Sequence, residues 1–466
     1  MSDHPEQQPV DPDEPDFEAM LASLLGSADN PEVAKALGAM GIDKNDPATV
    51  GMLGAQLKAL FSASGPAEPF NLELATDVAR KTVAAQGDSS VGDASRRQIE
   101  EAVHIAGLWL DAVTDMTAPN GLVHAWSRAE WVDRTMPMWR RLVEPVAEGV
   151  STAVVAALRS QMGQLGAGDE PVAIPGVPSG ISPDALVSQM EPILARMSGS
   201  MFGAQVGQAV GTLAGDLVSG TDVGLPLVPD HGIAMLPANI GAFAEGLEVD
   251  LVEVRLYLAV REAARVRLFA EVAWLGPQLV AAVQSYARDI SIDTEGIESA
   301  LQSIDPADPE AMQSALSSSL FAPEPSPAQR SALTQLETYL ALVEGWVDVV
   351  ADRATRSHLP HTAALGEAVR RQRASGGAAE QVFSQLVGLE LRPRRLRDAA
   401  NLWAALESKG GAAARDGAWA HPDVAPTAAD LDDPLGFVDR FTSRDTRDEM
   451  DAALDALLSE GDPNNT

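Results

Sequence analysis

Apolar residues recur at three- and four-residue spacing through most of the chain, and that period predicts helices. Between about 70 and 160 three segments carry it: NLELATDVARKTVAAQ, RRQIEEAVHIAGLWLDAVT and MPMWRRLVEPVAEGVSTAVVAALRSQM. In the second half the same period predicts helices over 183–197, 250–272, 327–356, 364–375, 378–389 and 394–409. Shorter helices are expected at 17–25, 31–40 and 47–61. Only LPLVPDHGIAMLPANIGAF reads as β-rich or irregular. The fold class is therefore mainly α, with little or no β structure.

The polar and Gly/Pro-rich interruptions divide the chain. Residues 1–15 are rich in Pro, Asp and Gln and are expected to be disordered, within a region 1–69 that also holds the small N-terminal helices. A helical part spans 70–162, a Gly/Pro linker 163–182, a second helical body 183–441 and an acidic tail 442–466. Residues 303–328, with five prolines, read as a surface excursion. Glycines 203, 207, 211 and 215 recur every fourth residue, a seam of small residues for close packing against a neighbouring helix.

Composition narrows the function classes. The formal net charge of −34 and a pI near 4.4 would repel a phosphate backbone or an anionic membrane, so a nucleic-acid partner is not expected. With no cysteine, disulfides, thiolate metal sites and a cysteine nucleophile are excluded. The acidic N-terminus MSDHPEQQPVDPDEPDFEAM does not read as a secretory signal, and no apolar run is long enough for a membrane span, so the expected location is cytoplasmic. None of the five lysines follows a glycine, so there is no P-loop, and no Gly-x-Ser-x-Gly elbow is present.

Among the seven histidines only His358 and His361 are close in sequence, and Pro360 between them favours a surface loop over a shared helical face. The clusters Arg370-Arg371-Gln372-Arg373 and Arg392-Pro393-Arg394-Arg395-Leu396-Arg397 stand out in so acidic a chain. They suit an anionic ligand, an acidic partner or the acidic tail, but ion pairs within the chain are the commoner use.

The segment GLEVDLVEVRLYLAVREAARVRLFAEVAWLGPQL is the most informative. Its Arg261-Glu262-Ala263-Ala264-Arg265 resembles the zincin motif His-Glu-x-x-His with arginine at both histidine positions. On a helix, residues four apart project about 40° from one another, so the two arginines share a face. Taken alone, the pair also reads as solvated or snorkelling arginines on an amphipathic helix. Together with FGAQVGQAVGTLAGDLVSGTDVGLPL, LALVEGWVDVV and GLELRPRRLRDAANLW, the segment resembles a zincin-like, mostly actinobacterial family of hydrolases and zinc-dependent metalloproteases, over roughly residues 70–440.

That resemblance implies a zincin-like helical core with two zinc-binding histidines on one helix and a Glu-Gly-His stretch on a second. Carried over, the ligand positions fall at Arg261 and Arg265, the general base at Glu262, the third ligand at Glu344, and the last histidine at Trp346. Arginine does not lose its proton to bind a cation. The expectation is a degenerate metal site with no cofactor, in which Arg261 and Arg265 hold Glu344, and with it Glu262, in a buried salt-bridge network. The role would be that of a scaffold, regulator or binding protein, its protein partner unnamed by the sequence and a homo-oligomer compatible with it. The alternative is an active zinc-dependent hydrolase with a non-standard site, in which Glu262 would be the base.

Overall fold

The computed structural model describes residues 69–166, 183–288, 326–374 and 395–443. The expectations for residues 1–68, the 378–389 helix and the tail beyond 443 lie outside the described residues. In chain order the elements are α1 (Leu72–Gln86), α2 (Asp93–Asp111), β1 (Val123–Ala125), α3 (Arg128–Gly166), α4 (Pro183–Leu213), β2 (Ile233–Met235), α5 (Pro237–Ala244), α6 (Leu251–Glu271), α7 (Leu275–Arg288), α8 (Pro327–Thr355), α9 (Thr362–Ala374), α10 (Leu396–Gly417), α11 (Ala428–Asp432) and α12 (434–443). The protein is mainly α, as the periodicity predicts. The strands β1 and β2 form a two-stranded parallel sheet in which Val123 pairs with Ile233 and Ala125 with Met235.

The described residues fall into two compact units. Residues 150–166 and 183–199, with Pro69, belong to the smaller one; 70–149, 200–288, 326–374 and 395–443 form the larger one. The helix packing around α6 and α8 lies within the larger unit.

Four local readings need correction. Helix α3 continues to Gly166, into the span expected as a linker, and residues 167–182 lie outside the described residues. The helix expected over 183–197 continues to Leu213 as α4. The LPLVPDHGIAMLPANIGAF stretch holds one short strand, and its last third is α5, opened by Pro237 at the first helical position. The expected helix 394–409 also continues to Gly417, with a kink where Gly411 takes φ 76°.

The glycine seam of α4 packs against α1. A Cβ added at Gly203, Gly207 or Gly211 would meet the backbone oxygens of Asn71, Ala75 and Ala79 at 2.7, 2.3 and 2.8 Å. The two fourfold repeats run in step, so the backbones approach at every turn.

The centre of the unit is α6. It opens on Asp250, whose side chain accepts from the Val252 N–H, and every residue from Tyr257 to Phe269 is buried. Helices α2, α5, α8 and α9 and strand β2 pack around it. Alongside runs α8, which starts on a capping box between Ser326 and Gln329 and is sheathed by α7 and α10. Gly345 makes the contact with α10 possible, since a Cβ there would meet the Ala399 Cβ and the Ala400 nitrogen at 2.7 Å each.

Candidate functional site

The facing sides of α6 and α8 bury a network of charges. Relative exposure is 4% for Arg261, 0% for Glu262, 1% for Arg265 and 2% for Glu344. The arginines are therefore core residues, not solvated ones. Arg265 donates from Nε to Glu344 Oε1 at 3.0 Å and from Nη1 to Glu262 Oε2 at 2.8 Å. Arg261 donates from Nη2 to Glu344 Oε2 at 3.1 Å and from Nη1 to Asp348 Oδ1 at 3.0 Å.

Two further arginines enter from α9. Arg370 reaches Asp348 Oδ2 at 2.9 Å, and Arg373 reaches Asp222 Oδ1 at 2.9 Å and Glu344 Oε2 at 3.3 Å. The 370–373 cluster is thus used within the chain, with Arg371 paired to Glu367 on the same helix. Arg395 of the second cluster likewise pairs with Asp398 and Asp432.

The loop 216–224 closes over Glu262. Ser219 Oγ and Thr221 Oγ1 donate to Oε2 at 2.7 and 2.8 Å, and the Thr221 N–H donates to Oε1 at 2.9 Å. Two glycines let the loop come this close. A Cβ at Gly220 would meet Val228 Cγ2 at 2.3 Å, and Gly224 takes φ 85° beside Leu340 and Glu344.

The two glutamates titrate in opposite directions. Burial pushes Glu344 up, but the guanidiniums of Arg265, Arg373 and Arg261 outweigh it and bring the carboxyl down to about 2. For Glu262 burial dominates, against Arg265 and the Ser219 and Thr221 hydroxyls, and its carboxyl lies above the usual range. Burial also works against the Arg261 and Arg265 cations. Tyr257, Glu344 and Asp348 around Arg261, and Glu344, Glu262 and Asp222 around Arg265, raise both above the ordinary arginine value.

Of the positions singled out in the sequence, four meet here and Trp346 does not. Its indole turns to α10, where Nε1 donates to Asp416 Oδ1 at 2.9 Å and Arg415 lies 5.8 Å from the ring centroid. A step of two residues on a helix turns the side chain by about 200°, whereas a step of four keeps it on the same face. The position that joins Glu344 is therefore Asp348. Sequence reasoning did not assign Asp348, Asp222, Ser219, Thr221 or the two α9 arginines to the site; only the helical spacing of Glu344 and Asp348 signals any of them.

The histidine pair of the His358–His361 turn is split between different neighbours. His358 stacks on Trp109 at 4.5 Å and His361 Nδ1 lies 2.8 Å from Glu253 Oε2. Among the described residues no group of three or more His, Asp or Glu side chains is placed to hold a metal ion.

A family model for zincin-like metallopeptidases matches residues 70–438, which takes in all of these positions. The chain belongs to the zincin-like metallopeptidase family. Among solved structures it is similar to a candidate hydrolase with a novel fold from Chloroflexus aurantiacus, at 15% identity and a TM-score of 0.54. That match covers 80% of this chain and 99% of the other. At such identity the likeness concerns the fold alone. No curated protein matches the chain. Within this zincin-like body the facing helices α6 and α8 carry the ion-pair network.

Proposed function

We propose that this zincin-like protein is catalytically degenerate and acts as a scaffold, regulatory or binding protein. The carrying observation is the pair Arg261 and Arg265, which stand at the two motif positions and saturate Glu344 with guanidinium donors. These residues do not fit a zinc ion. Zinc takes deprotonated nitrogen, sulfur or carboxylate ligands, and an arginine offers donors only. Both oxygens of Glu344 and both of Glu262 already accept hydrogen bonds.

On this reading the guanidiniums supply the positive charge that a metal gives in intact relatives. A buried carboxylate without a counter-charge is costly, and a bidentate guanidinium meets that need at a fixed geometry. The site then ties α6, α8, α9 and the 216–224 loop together and keeps the body rigid.

The second reading is a zinc-dependent hydrolase or protease with a non-standard site. It draws on the family and on the retained Glu262, the residue in the base position. Glu262 is fully buried and its two oxygens already accept from four donors, so the lone pairs a base would use are engaged. A panel of peptide, ester and amide substrates separates the two. The expected result is no turnover above a heat-treated control, with or without added zinc. Turnover that the Glu262→Gln protein loses would establish the enzyme instead.

A further inference from the structure

Outside the arginine network the larger unit has a cleft of about 480 Å³ between the end of α6 and the end of α10. Its floor is apolar: Met116, Val272 and Trp419 are buried. Trp274 forms a half-buried wall. Its indole N–H donates to the Trp419 oxygen at 2.9 Å, and its ring lies against Tyr339 and Trp419, so the orientation of the aromatic face is set.

Carboxylates complete the lining, and among the described residues no basic side chain does. Asp416 is spent internally, on Arg415, Thr114 and Trp346. Asp115 and Glu271 are exposed, and among the described residues neither has a cationic partner; Glu271 accepts only from the Thr117 hydroxyl at 2.8 Å. Glu271 is also the last residue of α6, where a negative charge opposes the helix dipole. A carboxylate in that place gains nothing from its own helix and has no ion pair to hold it.

We propose that this cleft binds the basic side chain of a partner polypeptide, an arginine or lysine whose alkyl stem lies on Met116 and Val272 and whose cation sits between the Trp274 face and the Asp115 and Glu271 carboxylates. Aromatic faces and carboxylates attract the same charge, and a long basic side chain buries its stem while keeping its head polar. A net charge of −34 draws such a partner to the surface, and the cleft gives the approach a defined end point. The proposal gives the binding role a partner chemistry but stands apart from the arginine network, so metal content tests one and not the other.

The test is an NMR titration of the full chain, labelled at tryptophan, with the blocked tripeptide acetyl-Gly-Arg-Gly-amide; the Trp274 indole signal is assigned with Trp274→Phe. The expected result is a saturable shift of that signal, with affinity lowered about two- to fivefold for each of Asp115→Asn and Glu271→Gln. The same peptide with citrulline in place of arginine should not bind. No saturable shift, equal binding of the citrulline peptide, or affinity unchanged in both rim variants would overturn the proposal. Tetramethylammonium binding more tightly than the arginine peptide would overturn it too, in favour of a small organic cation.

Discussion

Arg265 lies between Glu262, one turn back on its own helix, and Glu344 on α8, and it touches both. Its removal leaves two buried carboxylates short of a counter-charge, so Arg265→Ala should lower stability by about 3–5 kcal/mol. Urea unfolding measures this, and a change near zero would show that the network does not hold the helices. Glu344 gives a pH signature. Its carboxyl is held at about 2 in the folded protein, against 4.5 for an ordinary glutamate. A depressed folded value stabilises above the unfolded one and is lost as pH falls through the folded one. The wild-type advantage over Glu344→Gln should be full above pH 4.5 and shrink as pH falls toward 2, by about 3 kcal/mol in total. Glu262 has the opposite sign, since its raised folded value favours the protonated form on folding.

Between elements the geometry depends on close backbone approach. The α4 glycines face α1 carbonyls at distances no Cβ tolerates, so Gly207→Ala should cost about 1–3 kcal/mol. Gly215→Ala should cost less, because its nearest contact is the flexible end of Gln86 at 2.7 Å. Thermal unfolding of the two variants makes the comparison, and equal losses would contradict the seam. This seam was legible in the sequence because it repeats with the helical period. So were α6, α8 and the meeting of Arg261, Arg265, Glu262 and Glu344, which spacing and family resemblance fixed together. Asp222, Ser219 and Thr221 were not, because a loop that folds over a helix from some forty residues away leaves no periodic trace. Trp346 was assigned from its place in a motif rather than from its angle on the helix, and the angle takes it to α10.

Over the whole molecule, the family match spans residues 70–438, and on the proposed reading the positions that would carry its chemistry hold a charge network. A fold can keep its packing and change what its site does, so family membership speaks for the architecture and the site speaks for the function. Excess negative charge over the whole chain, with guanidiniums drawn inward to pair with buried carboxylates, leaves the surface suited to a basic partner. The central claim is that arginine stands in for the metal, and metal content tests it most directly. Full-length protein purified without chelator or affinity tag should contain no stoichiometric zinc by elemental mass spectrometry while remaining cooperatively folded. Near-stoichiometric zinc that survives dialysis would contradict the account.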